Sequence, residues 1–523
     1  MAGSIFVKKP LDLLMREAQE TGEGSLKRVL GPVSLVSLGV GAIIGAGIFV
    51  LTGAAAAKYA GPAIVLSFIL AGIGCVFAGL CYAEFASLIP IAGSAYTYGY
   101  ATLGELFAWI IGWDLILEYA FGAATVASGW SGYFTSLLQD FGIYLPPAFT
   151  ATPGTQLVYY DNRWQVLSNL TDTLKAAGIN PGSLQHVTGV FNLVAFLAIC
   201  LVTTVLVIGI KESANLNNAI VMIKVSIVLV FIGVASVFVL KHPAIASANW
   251  HPFVPKNLGA FGQYGWSGIA RGAAVIFFAY IGFDAVSTAA QETRNPQKDM
   301  PIGILGSLAI CTVLYITVSG LLTGVVSYTA LNVPDPVAVG VDATGVGLGF
   351  HAGSHLIRFS SLLVKLGAIA GLGSVMLVML LGQSRVFYSM SHDCLLPKWA
   401  GKVHPRFRTP YISSITVGIF VALFAALIPI SVLGELVSIG TLLAFIIVCA
   451  GVWVLRLKRP ELPRPFRTPW VPLVPILGIL VSFLLMASLP LATWFRLLIW
   501  LVIGLVIYFT YGRFHSRVGN PGN

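Results

Sequence analysis

The sequence predicts an all-α integral membrane protein of about twelve transmembrane helices, and three observations carry the prediction. Of 523 residues, 57% are hydrophobic and only 10% are charged, against about 25% charged in a soluble protein. The apolar residues gather in runs of the ~20 residues that a bilayer requires. Lys and Arg number 30 against 20 Asp and Glu, a formal charge of +10, and they are concentrated between the apolar runs. In a soluble chain that excess would suggest nucleic acid. Here it reads as membrane topology, with no nucleic-acid partner.

The elements follow in order. Residues 1–31 are polar and form a cytoplasmic N-terminal segment, and the apolar run behind them is too long for a cleavable signal. Twelve spans are expected at roughly 32–57, 61–89, 98–134, 189–210, 214–240, 269–288, 302–327, 358–388, 410–430, 432–456, 470–489 and 491–512. A long outer loop, 135–188, with Pro146, Pro147 and the Tyr159-Tyr160 pair, interrupts the rhythm. Spans 1–5 (32–240) and 6–10 (269–456) form two repeats, 470–512 adds two helices, and 513–523 is a cytoplasmic tail. With the N-terminus inside, nineteen Lys and Arg fall in cytoplasmic segments and six in outer ones, which places both termini in the cytoplasm. The basic loops Lys398–Arg408 and Arg456–Arg467 set topology and touch anionic membrane lipid.

The first span carries glycine at 39, 41, 45 and 47. Glycine costs a helix interior ~1 kcal/mol relative to alanine, so the run suits either close helix packing or an unwound turn. Five spans later, Phe277-Phe278-Ala279-Tyr280-Ile281-Gly282-Phe283-Asp284 puts a glycine and an acid in mid-membrane. Discontinuous helices at corresponding positions 1 and 6 are what two five-span repeats in inverted topology produce, and they point to a midplane binding site. A half-helix N-terminus offers N–H groups to a carboxylate, and the preceding half-helix offers carbonyls to an ammonium. A zwitterion, an amino acid, suits such a pair of ends.

Charges inside spans are functional candidates by default. Lys224 is flanked by Ala219–Ile223 and Val225–Phe231. It reads either as a structural lysine bonding carbonyls freed by the break in span 1, or as a titratable cation where a sodium ion would otherwise sit. Asp284 reads as a cap on the second half of span 6 or as a proton carrier. Asp114 and Glu118 share a face of span 3. Glu118 could bind a substrate amine, hold Lys224, or pair with another polar residue. Glu84, Lys365 and Arg385 read as structural or gating charges. Met376 and Met379 fall on one face of span 8, and Met379 limits side-chain length if that face meets the pocket. The six cysteines have no metal-ligand spacing, the eight histidines sit in loops or at span ends, and no catalytic cluster is visible. Neither a metal, a cofactor nor an enzyme activity is expected.

Gly41–Phe49, Gly112–Tyr119, Phe277–Asp284 and Arg294–Gly303 resemble the amino acid–polyamine–organocation superfamily, and within it the bacterial form of the cationic amino acid transporter family. The resemblance runs from about residue 26 to 513. It implies a five-plus-five inverted repeat with two extra C-terminal helices. It implies that Ala46 and Gly47 present N–H groups to a substrate carboxylate while carbonyls of Ile43, Phe278, Ala279 and Ile281 meet the amine. It places Lys224 at the former sodium position and Asp284 and Glu118 in the polar network around the site. Two departures stand out: Ala46 replaces a hydroxyl residue of some relatives, and the 328–357 segment is long and rich in Gly and Val.

The reading is a proton-coupled L-amino acid transporter of the cell membrane working by alternating access, for cationic or small neutral substrates. Sodium coupling and amino acid exchange are its mechanistic alternatives. A membrane amino acid sensor without net transport is the alternative of a different class; it would normally carry a sizeable soluble domain.

Overall fold

Backbone groups facing lipid must be satisfied within the chain, and helices accordingly occupy every predicted span position. The computed structural model describes residues 5–10, 30–89, 91, 94–208, 214–347, 355–407 and 409–518. Most of the predicted N-terminal segment, with Arg16, Lys27 and Arg28, and the loop residues Lys211 and Arg408 lie outside the described residues.

Among the described residues, eight helical stretches are long and apolar enough to cross a membrane, and the first of them, Pro32–Leu88, holds both span 1 and span 2. Three shorter apolar helices, Leu193–Ile208, Tyr411–Leu427 and Leu473–Ser488, stand where spans 4, 9 and 11 are expected. The remaining spans are Glu105–Asp140 (3), Ala214–Lys241 (5), Gly265–Glu292 (6), Pro296–Val325 (7), His355–His392 (8), Ile430–Lys458 (10) and Leu491–Ile507 (12).

Some boundaries differ from those expected. Residues 98–102 belong to a separate helix, Ser94–Thr102, and span 3 starts only at Glu105. Gly104 causes the break: its φ of +109° suits glycine alone, and a Cβ there would lie 2.7 Å from the Phe6 carbonyl oxygen. Span 3 then continues to Asp140, past the expected end at 134. The 328–357 segment contains two helices, Tyr328–Leu331 and Pro336–Gly347.

The long loop after span 3 is built rather than irregular. Strands β1 (Gln156–Tyr160), β2 (Arg163–Val166) and β3 (His186–Thr188) form an antiparallel sheet in the order β2-β1-β3. Asp161 and Asn162 turn β1 into β2 with φ of 52° and 57°, the left-handed pair that a two-residue hairpin demands. The helix Leu167–Ala176 covers the sheet through Leu170 and Leu174, which pack on Val158.

Span 7 packs along spans 1 and 2, span 8 along span 3, span 9 along span 4, and span 11 along span 10. The described chain ends share one face. Lys9 Nζ donates to Asp393 Oδ1 at 2.9 Å, Tyr96 donates to Asp393 Oδ2 at 2.8 Å, and Ser516 donates to Glu105. Leu30 pairs with the strand-like turn behind span 6: its N–H donates to Glu292 O at 3.0 Å and its carbonyl accepts from Arg294 N–H at 2.9 Å. On the opposite face Lys365 bridges Asp140 and Asp335, and Arg163 of β2 bonds Asp140 at 2.7 Å.

Candidate functional site

Both expected discontinuities are present. The first half of span 1, Pro32–Ile43, ends at Ile44, whose backbone is extended (φ −71°, ψ 98°), and the helix resumes with Gly47–Leu51. In span 6 the turn Phe277–Tyr280 ends at Ile281 (φ −62°, ψ 134°), Gly282 follows at φ +123°, and a helix resumes with Asp284–Glu292. Each break rests on the other. A Cβ on Gly282 would lie 2.8 Å from the Ala42 carbonyl carbon, and one on Gly47 would lie 2.3 Å from Ala279 Cα. Two glycines therefore let the two backbones meet, and one of them also holds a left-handed conformation.

Lys224, fully buried, reaches from span 5 into the break of span 1. Its Nζ donates to Gly41 O at 2.7 Å and to Ile44 O at 3.3 Å. Its alkyl chain lies against Gly371 of span 8, where a Cβ would come within 3.1 Å of Lys224 Cγ. The cation thus satisfies carbonyls that the unwinding frees. Among the described residues it has no ion pair with Glu118, so of the three readings of Glu118 the one in which it holds Lys224 is absent.

Tyr315 of span 7 does the corresponding work between the breaks. Its hydroxyl lies 2.8 Å from Ile43 O and 2.9 Å from Ala279 O, within donating reach of both. Phe278 O accepts from Ile281 N–H at 3.2 Å. Three of the four carbonyls expected to meet an amine are therefore already engaged, although a carbonyl oxygen keeps a second lone pair. The first N–H groups of the resumed helix, at Ala46 and Gly47, have no helical partner by position. Ala46 is buried, with its Cβ turned toward Gly129 of span 3.

Asp284 does not cap the helix it begins. Oδ1 accepts from Gly282 N–H at 3.2 Å and Oδ2 accepts from Tyr119 O–H at 2.8 Å, so the carboxylate ties the break to span 3. Glu118 sits in the π-turn Leu117–Phe121, fully buried, with Asp284 and Thr441 as polar neighbours. Neither its carboxylate oxygens nor those of Asp114 make a hydrogen bond among the described residues. Asp114 instead lies against Gly440 of span 10. Glu118 is thus a buried, unclaimed carboxyl beside the break in span 6, with Asp114 one turn away on the same span.

Met379 completes the surroundings from span 8. Its Sδ would be 2.8 Å from a Cβ on Gly122, while Val375, one turn earlier, faces Gly45 and Gly382, one turn later, faces the Tyr119 ring. Ile43, Ala46, Gly47, Phe278, Ala279, Ile281 and Met379 are all buried. Tyr315 and Tyr119 are the residues that reading the sequence missed. A buried tyrosine hydroxyl needs a partner, so a tyrosine in mid-span was the available signal.

Comparison with known proteins places this geometry. The amino acid permease family model matches residues 30–510. The chain is 46% identical over 519 residues to the branched-chain amino acid permease BcaP of Bacillus subtilis (strain 168), covering 99% of this chain and 100% of that one. It is 44% identical over 513 residues to the methylthioribose transporter of the same organism, covering 98% and 99%. It is 29% identical over 616 residues to the vacuolar cationic amino acid transporter 4 of Arabidopsis thaliana, covering 95% and 94%. A crystal structure of MhsT in complex with L-phenylalanine, 14% identical, superposes with a TM-score of 0.50 over 92% of this chain and 100% of that one, a likeness of fold alone.

Proposed function

The chain belongs to the amino acid permease family, a family of membrane transporters rather than enzymes, and on that premise we propose that it carries neutral L-amino acids with short or branched side chains, coupled to protons, by alternating access. The observation that carries the reading is the pair of facing breaks, Ala42 against Gly282 and Gly47 against Ala279, with Lys224 bonded to Gly41 O and Ile44 O. The N–H groups at Ala46 and Gly47 suit a carboxylate, and the opposing carbonyls suit an ammonium. Lys224 supplies a fixed cation between spans 1 and 5, where a sodium-coupled carrier would need an exchangeable one. Ser374, the hydroxyl in span 8 open to a sodium cage, donates to Gly371 O of its own helix at 2.9 Å. Met379 leaves little room for a long side chain beside Gly122. The excess of Lys and Arg on the face of the chain ends supports termini in the cytoplasm.

The test is uptake into proteoliposomes of labelled alanine, isoleucine and arginine under imposed pH or sodium gradients. Isoleucine and alanine uptake driven by outside acid, indifferent to sodium and lost in Lys224→Ala, is the expected result. Sodium-driven uptake that survives the substitution would overturn the coupling assignment, and arginine taken up as well as alanine would overturn the substrate class. The 44% identity to a methylthioribose transporter favours a second reading. Such a thio-sugar carries neither carboxylate nor amine, so uptake of labelled methylthioribose without any amino acid transport would decide for it.

A further inference from the structure

The end of span 10 and the start of span 11 enclose a cavity of about 360 Å³ on the face that holds both chain ends, lined by Trp453, Arg456, Leu457, Arg464, Arg467 and Val471 among others. Its charge is one-sided. Glu84 of span 2 is the carboxylate within reach of these arginines: Arg456 bonds it twice, at 2.9 and 2.8 Å, Arg464 Nε approaches it to 3.1 Å, and Thr468 N–H donates to it at 2.8 Å. Arg464 is further fixed by donating to Leu462 O at 2.9 Å and Arg459 O at 2.8 Å. Arg467 is exposed and has no ion pair or hydrogen bond among the described residues. Three arginines against one acid leave two positive charges at the cavity.

Beside the arginines the surface is apolar and open. Leu457 is 70% exposed, Trp470 79% and Leu473 52%. Trp470 holds a φ of +46°, a conformation that bulky residues rarely adopt, and it holds its ring outward. A smaller cavity of about 110 Å³ on the neighbouring side of span 10 adds Lys8 and Lys458 to the same field, while Arg459 there is paired with Glu461 at 3.5 Å. A rigid arginine group next to exposed Leu, Trp and Leu at a membrane surface matches a ligand with an anionic head and apolar tails.

We propose that this cavity binds the phosphodiester headgroup of an anionic phospholipid, with its acyl chains lying over Leu457, Trp470 and Leu473. Arg456 and Arg464, locked by Glu84, form the fixed wall of the site, and Arg467 is the arm that closes on the phosphate. The proposal stands on the cavity alone and does not depend on which solute the protein carries.

The test uses the full chain, purified in neutral detergent and stripped of lipid. Bound lipid is counted by native mass spectrometry while phosphatidylglycerol or phosphatidylcholine of matched chains is added, and inorganic phosphate is offered in a third arm. One phosphatidylglycerol per chain in preference to phosphatidylcholine is expected. Arg467→Gln should weaken it about fivefold, the contribution of one basic residue near a charged surface. Arg406→Gln, which removes the same charge from another loop of that face, should leave it unchanged. Equal binding of the two lipids, or equal weakening by both substitutions, would overturn the site. Displacement of the lipid by millimolar phosphate would assign the cavity to a free anion and overturn the lipid as its source.

Discussion

At the scale of the residue, Tyr315 joins the two broken helices with one hydroxyl that has one hydrogen and two carbonyls to serve, Ile43 O and Ala279 O. Tyr315→Phe keeps the ring, which packs on Phe68 and Tyr280, and strips both carbonyls of their donor. An unsatisfied buried polar group costs ~1–3 kcal/mol, so thermal unfolding in detergent should show a loss of that size. Unchanged stability would mean that water replaces the hydroxyl. The charged members of the candidate site were legible in the sequence because a lysine or an acid between apolar runs is costly in lipid unless it is engaged. Lys224, Glu118 and Asp284 all prove buried at the breaks. Tyr315 and Tyr119 gave only a general signal, a tyrosine in mid-span, since an aromatic residue there is ordinary packing until its hydroxyl partner is known. The carbonyls of Ile43, Phe278 and Ala279, expected to meet an amine, were legible as freed groups, but not as groups already engaged by neighbours.

At the scale of the element, the two discontinuities depend on glycine in different ways. Gly47→Ala would drive a methyl to 2.3 Å from backbone of span 6, and Gly282→Ala would both strain a φ of +123° and press on Ala42. Neither neighbour is the yielding end of a flexible side chain, so each substitution should lower stability by ~1–3 kcal/mol. Gly320→Ala in span 7, where the nearest atom is Val65 Cγ2 at 3.5 Å, should be neutral or stabilising by up to ~1 kcal/mol. Melting curves of the three variants check the ordering, and a stable Gly47→Ala protein would show that spans 1 and 6 can separate freely. Span positions were legible because ~20 apolar residues in lipid have little choice but a helix. The separate helix Ser94–Thr102 was hidden by a single glycine turn at 104, and β1–β3, three to five residues each, are too short to give a pattern in a polar loop.

At the scale of the whole molecule, the face opposite the chain ends is held by charges from four segments: the end of span 3, the sheet, the turn at Asp335 before the helix Pro336–Gly347, and span 8. Asp342, on the helix Pro336–Gly347, is pushed up to about 6 by burial, with Asp335 adding to the rise while Lys365, Ser361 and Arg163 oppose it. A carboxyl raised in the folded state favours folding while it is neutral, and that advantage is lost as pH rises through its folded value. Wild-type protein should therefore lose stability relative to Asp342→Asn between about pH 4 and pH 6, and above that the difference should stay level. Melting temperatures of the pair across that range provide the check, and parallel curves would remove Asp342 from the account. On the other face, the backbone stitch from Leu30 to Glu292 and Arg294 has a mechanical meaning. The near half of span 1 and the far half of span 6 are riveted at their outer ends and interlocked at their inner ones, through Ala42 and Gly282. They make a single lever arm, and a force applied to either helix turns both.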